Sequence, residues 1–324
     1  MKEGGFFIMA RRRSKKKQMK MIKTLISIVI VLILGIISFL TEPWQYIGGN
    51  DDKNEIGTKN EASISDLQVH YIDVGQADSI LVRIPTEDGT KNMLIDAGTS
   101  KGYSDEVITG YLDSLGIDTL TYLMITHPHD DHAQAAAEVV EAFDIENVIL
   151  PECESNKVFW LDMLEAMDAK DLSYIPSEMG DTYQIGEASF TILGPVDVSN
   201  VKDTNDYSIV IRLDYGETSF VFTGDATIES EEQMLEANPV SAFKCDVLKI
   251  GHHGSKGSTC EEFLNACDPD LAVISCGEGN SYGHPTEEVL ERLENANVPL
   301  LRTDLEGTIV LVSDKNEVNR LTND

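Results

Sequence analysis

Short apolar runs, punctuated by Gly, Asp and Asn, recur along most of the chain, with stretches of helical spacing between them. The apolar runs predict strands at 68–74, 79–84, 92–96, 120–125, 190–193, 208–214, 219–223, 247–250, 271–275 and 308–312. Amphipathic spacing predicts helices at 105–115, 133–143, 158–167, 229–236, 261–266 and 287–295. Strand-rich halves with interspersed helices imply an α/β domain of two sheets packed face to face, with helices outside.

The first 65 residues break this pattern. Residues 24–41 carry no charge and are dominated by Ile, Leu and Val. At ~1.5 Å rise per residue, a helix of this length just crosses a bilayer. Before it stands a basic head, residues 1–23, holding Lys2, Arg11, Arg12, Arg13, Lys15, Lys16, Lys17, Lys20 and Lys23. Positive charge stays on the cytoplasmic side, so the rest of the chain is expected outside the cell membrane, held by a single-pass anchor. A cleaved signal peptide shares the basic start and apolar core and leads to secretion instead. Thr41-Glu42-Pro43-Trp44-Gln45 lacks a small-x-small cleavage pattern and favours the anchor. Residues 42–65, rich in Asn, Asp, Lys, Glu and Gly, read as a flexible linker, and 66–324 as one large domain.

Charge narrows the partners. The chain has 25 basic and 56 acidic residues. The head holds nine of the basic residues and one acidic, Glu3, which leaves 16 against 55, a formal charge of −39 on the exterior part. Non-specific nucleic-acid binding rests on Lys and Arg neutralising phosphates, so stable binding of that kind is not expected. Nothing in the sequence points to a protein partner. Cys153, Cys245, Cys260, Cys267 and Cys276 show no Cys-x-x-Cys spacing and read mostly as small core residues.

Candidate chemistry sits at three strand ends. His127-Pro128-His129-Asp130-Asp131-His132 packs three of the seven histidines and two aspartates behind the apolar run 120–125. Imidazole and carboxylate suit zinc, manganese or iron. Gly224-Asp225 closes a second strand, and His252-His253-Gly254-Ser255 follows a third. Ligand residues at three separate strand ends imply one cluster built across a sheet edge.

These segments resemble the metallo-β-lactamase superfamily, whose signature is His-x-His-x-Asp-His. They are most similar to the branch found as the hydrolase domain of the DNA-uptake channel protein ComEC. That branch carries segments like Asp73-Val74-Gly75-Gln76-Ala77-Asp78-Ser79, His252 to Ser255, and Tyr282-Gly283-His284-Pro285. The resemblance spans about residues 66 to 315 and implies a four-layer αββα sandwich with metals at one edge. It implies two divalent ions, zinc or manganese. His127, His129 and a third ligand would hold the first. Asp131, His132 and His253 would hold the second, with Asp225 bridging. Adjacent strand side chains diverge, so His252 and His253 can exchange roles; with His253 as ligand, His252 hydrogen-bonds substrate or leaving group. Most of the superfamily supplies a third histidine before the Gly-Asp, but no histidine lies between Ala133 and Gly251 here. Asn205-Asp206-Tyr207-Ser208 stands in that interval. Either Asn205 or Asp206 offers an oxygen, with Ser208 nearby, or the segment is an ordinary turn. His284 is expected at the pocket mouth contacting a phosphate, or in a helix-capping turn. Asp73, Gln76 and Asp78 support the site, and Asp96 braces a ligand. His70, mid-strand and alternating with Ile72, reads as a packed or surface histidine.

Two such ions hold hydroxide near neutral pH, and Asp131, His252 and His284 are the side chains expected to act on the reacting groups. The expected activity is a membrane-anchored hydrolase of phosphodiester bonds, in nucleic-acid fragments or a cell-wall phosphodiester. Alternatives are a carboxyl-ester, lactone or β-lactam hydrolase, and a non-catalytic envelope scaffold.

Overall fold

The computed structural model describes residues 64–321, apart from 100–102, 104–105 and 200. The expected basic head, apolar anchor and nearly all of the linker lie outside the described residues. Among the described residues, no helix is long and apolar enough to cross a membrane.

The strands in chain order are β1 (Leu67–Tyr71), β2 (Ile80–Thr86), β3 (Gly89–Ile95), β4 (Thr119–Leu120), β5 (Tyr122–Met124), β6 (Asp144–Ile145), β7 (Val148–Leu150), β8 (Tyr174–Pro176) and β9 (Thr182–Ile185). They continue with β10 (Ala188–Gly194), β11 (Val210–Tyr215), β12 (Thr218–Phe222), β13 (Val247–Lys249), β14 (Leu271–Ile274), β15 (Leu300–Arg302), β16 (Ile309–Ser313) and β17 (Val318–Arg320). The helices are α1 (Glu106–Ser114), α2 (Asp130–Ala133), α3 (Ala136–Ala142), α4 (Val158–Ala169), α5 (Ile228–Ala237), α6 (Glu261–Cys267), α7 (Glu287–Asn295) and α8 (Thr303–Glu306). One sheet runs β17-β16-β1-β2-β3-β5-β7-β8 and the other β15-β14-β13-β12-β11-β10-β9; β4 and β6 pair separately. Both large sheets are mixed. β3, β5, β7 and β8 run parallel, as do β12, β13, β14 and β15.

Alternation along the strands builds the layers. Leu67, Val69 and Tyr71 of β1 meet Phe220 and Phe222 of β12 in a core between the sheets. The opposite faces are covered by helices. Leu81, Leu94 and Leu123 pack with Ile108, Val139 and Met163 of α1, α3 and α4. Val221, Leu248 and Ala272 pack with Met234, Phe263 and Val289 of α5, α6 and α7.

Several predicted elements change shape. The apolar run 120–125 divides, because Leu120 pairs with β6 whereas Tyr122–Met124 enters the large sheet. The predicted helix 133–143 breaks between α2 and α3. Strands β6, β7, β8, β9, β15 and β17 are absent from the sequence prediction: β8, β9, β15 and β17 are edge strands with few buried positions, and β6 and β7 are too short for alternation to show.

The parallel strands decide where chemistry can occur. Chain segments leave the carboxyl ends of β3, β5, β12, β13 and β14 together, the usual place for ligands in parallel α/β sheets. The packing of these segments is close. The N–H groups of Asp78 and Ala97 donate to the carbonyls of Asp131 and His132 at 2.9 and 2.8 Å. A Cβ on Gly98 would lie 1.7 Å from the Asp131 carbonyl oxygen. Gly98→Ala should therefore exceed the ~1–3 kcal/mol of ordinary overpacking, since backbone rather than a flexible side chain must yield. A melting temperature equal to the parent's would show that the loop tolerates displacement.

His70 packs away from the strand ends, as a buried core histidine. Its Nε2 faces Gln68 Oε1 at 3.1 Å and its Nδ1 faces the Tyr111 hydroxyl at 2.8 Å. Burial, and then the Arg83 charge, lower its pKa to about 3. The unfolded chain, near 6.5, therefore binds the extra proton first. Stability should fall as pH drops from about 6.5 toward 3, by up to about 4–5 kcal/mol from this group. His70→Gln should flatten that acid limb in the metal-free protein, measured by denaturant unfolding across pH; an unchanged slope would show that the fold accommodates the charged ring.

Candidate metal centre

Asp96 follows β3 with a left-handed backbone, φ 63°. Its carboxylate accepts from the Thr126 N–H at 2.7 Å and the Thr126 hydroxyl at 2.9 Å, which holds the backbone immediately before His127. The same group lies 2.8 Å from His132 Nδ1. A carboxylate only accepts, so this nitrogen carries a proton, and a metal-bound ring would present its Nε2 lone pair on the other side. That Nε2 faces Asp225 Oδ1 at 3.1 Å.

Asp225 enters from the end of β12. Its N–H donates to Ser208 Oγ at 3.1 Å, and Ser208 Oγ lies 3.3 Å from His127 Nδ1. His127 Nε2 is 3.1 Å from His129 Nδ1. Nitrogens at ~2.0–2.1 Å from one tetrahedral ion lie about 3.3–3.4 Å apart, so this spacing suits a shared ion.

The closing histidines leave β13 through a tight curl. His252 and His253 both take left-handed backbone, φ 50° and 53°. Such residues cost about 1–2 kcal/mol each, and here they send adjacent rings to different places. His253 is buried; its Nδ1–H donates to the Ser275 carbonyl at 2.9 Å. Its Nε2 lies 3.4 Å from Asp131 Oδ2 and 3.7 Å from Asp225 Oδ2. The His252 side chain is 28% exposed, with Nε2 3.6 Å from Asp225 Oδ2.

Asp131, His132, Asp225 and His253 thus bring ligand atoms within 4.8 Å of one another. Asp78, Asp96 and His132 form a second group within the same limit. His132 Nε2, Asp225 Oδ1 and His253 Nε2 are buried without hydrogen-bond partners. Buried polar atoms are nearly always paired, and a divalent cation would satisfy all three together. The donor set fits divalent metal ions.

Electrostatics of the metal-free centre agree. Burial opposes charge on His132, but Asp225 and Asp96 outweigh it and hold the pKa well above the usual value. Burial likewise opposes charge on His253, and Asp225 and Asp78 raise it to about 10. Asp225, despite burial, is held well below the carboxylate range by His132 and His253. Metal binding must therefore displace protons from these rings.

The remaining candidates fall around this centre. Asn205 is buried with Oδ1 unpartnered. Asp206 is engaged elsewhere: its Oδ1 accepts from the Thr227 and Ser230 hydroxyls at the start of α5, at 2.5 and 3.0 Å. His284 sets its ring 5.6 Å from that of His252 and has a buried, unpartnered Nδ1. Asp73 Oδ1 accepts from the Gly75 N–H and the Tyr103 hydroxyl at 3.1 and 3.2 Å. Gln76 Oε1 accepts from the Gly277 N–H at 3.0 Å, tying two loops. Sequence reasoning passed over Lys249, whose ammonium meets the Asp78 carboxylate. The available signal was a charge inside the apolar run Val247-Leu248-Lys249-Ile250.

A family model described as the metallo-beta-lactamase superfamily matches residues 72–278. ComE operon protein 3 of Bacillus subtilis is 33% identical over 259 residues, which cover 76% of this chain and 33% of that protein. Competence protein ComA of Neisseria gonorrhoeae is 28% identical over 270 residues, covering 82% of this chain and 35% of that protein. The chain thus spans about a third of the length of these relatives. Among solved structures, the metallo-beta-lactamase fold protein YhfI from Bacillus subtilis aligns with 79% of this chain and 100% of its own, at TM-score 0.47 and 10% identity. With a family match over most of the described domain and competence proteins among its relatives, this chain belongs to the metallo-β-lactamase superfamily.

Proposed function

We propose that the chain is a membrane-anchored, extracytoplasmic, metal-dependent hydrolase of phosphodiester bonds. One observation carries the reading: the buried, unpartnered atoms of His132, Asp225 and His253 converge beside Asp131. Divalent ions held there supply Lewis acidity toward a phosphoryl oxygen and lower the pKa of coordinated water. Asp225 faces His132, His252 and His253 and so links both halves of the ligand set. His252 and His284 flank the more open side, where their ring nitrogens can meet phosphoryl or leaving-group oxygens. The exterior charge of −39 disfavours long polyanions and supports a short or charge-compensated phosphodiester, such as one in the cell wall. Residues 24–41 supply the anchor, with the N-terminus cytoplasmic.

The test is a substrate screen with the full chain after loading with zinc or manganese. An aryl phosphodiester and short oligonucleotides should be cleaved, and the activity should sediment with membranes. Cleavage of a lactone without any phosphodiester would overturn the reading. Asp225→Ala should lower activity at least ~10³-fold, an oxyanion-scale loss, and cut metal content, whereas His70→Ala should leave metal content unchanged. Equal metal loss in both variants would refute the ligand set.

His127 and His129 lack a third histidine, so their ion should leave first. Mild chelation is expected to take metal content from about two to about one per chain, with activity. An oxygen from Asn205 is a hard ligand, so manganese should restore activity at least as well as zinc, and Asn205→His should tighten zinc. Two equally tight zinc ions in the parent would leave Asn205 as a turn residue.

A further inference from the structure

Lys249 is the one charged side chain on β13, and it is 0% exposed. Its ammonium forms an ion pair with Asp78 Oδ2, and Asp78 is 1% exposed. The same nitrogen lies 3.4 Å from the Gly224 carbonyl, next to Asp225. Asp78 Oδ1 stands 3.5 Å from His253 Nδ1, alongside the Ser275 carbonyl that this ring nitrogen also meets. The Asp78 N–H donates to the Asp131 carbonyl, and the Gly98 N–H donates to the Asp78 carbonyl, both at 2.9 Å. One buried pair therefore touches the segments that carry Asp131, Asp225 and His253.

We propose that the Lys249–Asp78 ion pair is the positioning element of the metal centre: the ammonium pins Asp78 and the Gly224–Asp225 turn, and Asp78 steadies the His253 ring so that Nε2 faces Asp131 and Asp225. This rests on the reading of the site as a metal centre. It assigns a role to the loop 73–79, which offers Asp78 as a brace.

Lys249 and Asp78 are both fully buried and in direct contact, so each compensates the charge of the other where no solvent reaches. Positioning is distinct from this charge compensation. By Coulomb's law, removing a cation beside two divalent ions would by itself strengthen metal binding. A loss of affinity on removing Lys249 is therefore diagnostic of positioning.

The experiment uses the full chain, stripped of metal and titrated with cobalt(II) and zinc, reading affinity and the cobalt visible spectrum. Lys249→Met/Asp78→Leu removes both charges, so neither is left buried and unpaired. Its metal-free melting temperature should match the parent's, while affinity falls at least tenfold and the cobalt bands shift. Parental affinity and an unchanged cobalt spectrum would overturn the proposal and leave the pair a fold stabiliser. Lys249→Gln keeps a donor for Asp78 without the charge and should stay within about threefold of the parent, where Lys249→Met alone loses tenfold. Equal behaviour of those two overturns the proposal even where the double variant does not fold. A parent that binds neither ion overturns the metal-centre reading itself, which is a different result from equal binding by parent and variant.

Discussion

Burying a carboxylate or an imidazolium is unfavourable unless opposite charge or hydrogen bonds surround it. At the strand ends of this domain Asp78, Asp96, Asp225, His127, His132, His253 and Lys249 are all buried. Their mutual arrangement follows from that constraint. Each carboxylate is answered by a cation or donor: Asp96 by Thr126 and His132, Asp78 by Lys249, Asp225 by His132 and His253. His132 Nε2, Asp225 Oδ1 and His253 Nε2 nonetheless make no well-aligned hydrogen bond and face one another in the buried centre. These atoms and the Asp131 carboxylate form a donor set that fits a divalent metal ion, in keeping with the metallo-β-lactamase superfamily to which the chain belongs.

The backbone carries part of the load. Asp96, His252 and His253 all hold left-handed conformations, and each sits at a strand end facing the centre. Strain of this kind persists where the surroundings overdetermine it. Here the determinants are the Thr126 hydrogen bonds to Asp96 and the Ser275 carbonyl on His253. The rings of His129, His127, His132, His253, His252 and His284 consequently form an unbroken succession of neighbours, from the first motif to the rim loop.

Charge is divided between surface and centre. The chain after residue 23 is strongly acidic, yet one of its few lysines, Lys249, is fully buried at the candidate metal centre. An acidic surface keeps the domain soluble and discourages polyanions. A buried lysine does neither. Its contacts instead join three chain segments that are far apart in sequence, around residues 78, 224 and 249.

By itself, the sequence determined the layer type and singled out most of the residues that gather at the candidate metal centre. Alternation in 68–74 and 219–223 marks strands with one face in a shared core, because side-chain period is a local property of the backbone. Clustered histidines at 127–132 and 252–253 mark the chemistry, because seven histidines rarely gather so by accident. What tertiary structure decided is everything set by long-range pairing. It split 120–125 between two sheets, since Leu120 and Tyr122–Met124 found different partners. It separated His253 from His252 through two left-handed residues, a turn that strand alternation does not contain. It turned Asp206 to the start of α5 and left Asn205 with a free buried oxygen, although the two are adjacent. It gave Lys249 its partner, because Asp78 lies in a loop 171 residues earlier in the chain, and only the stacking of two sheets brings those strand ends together.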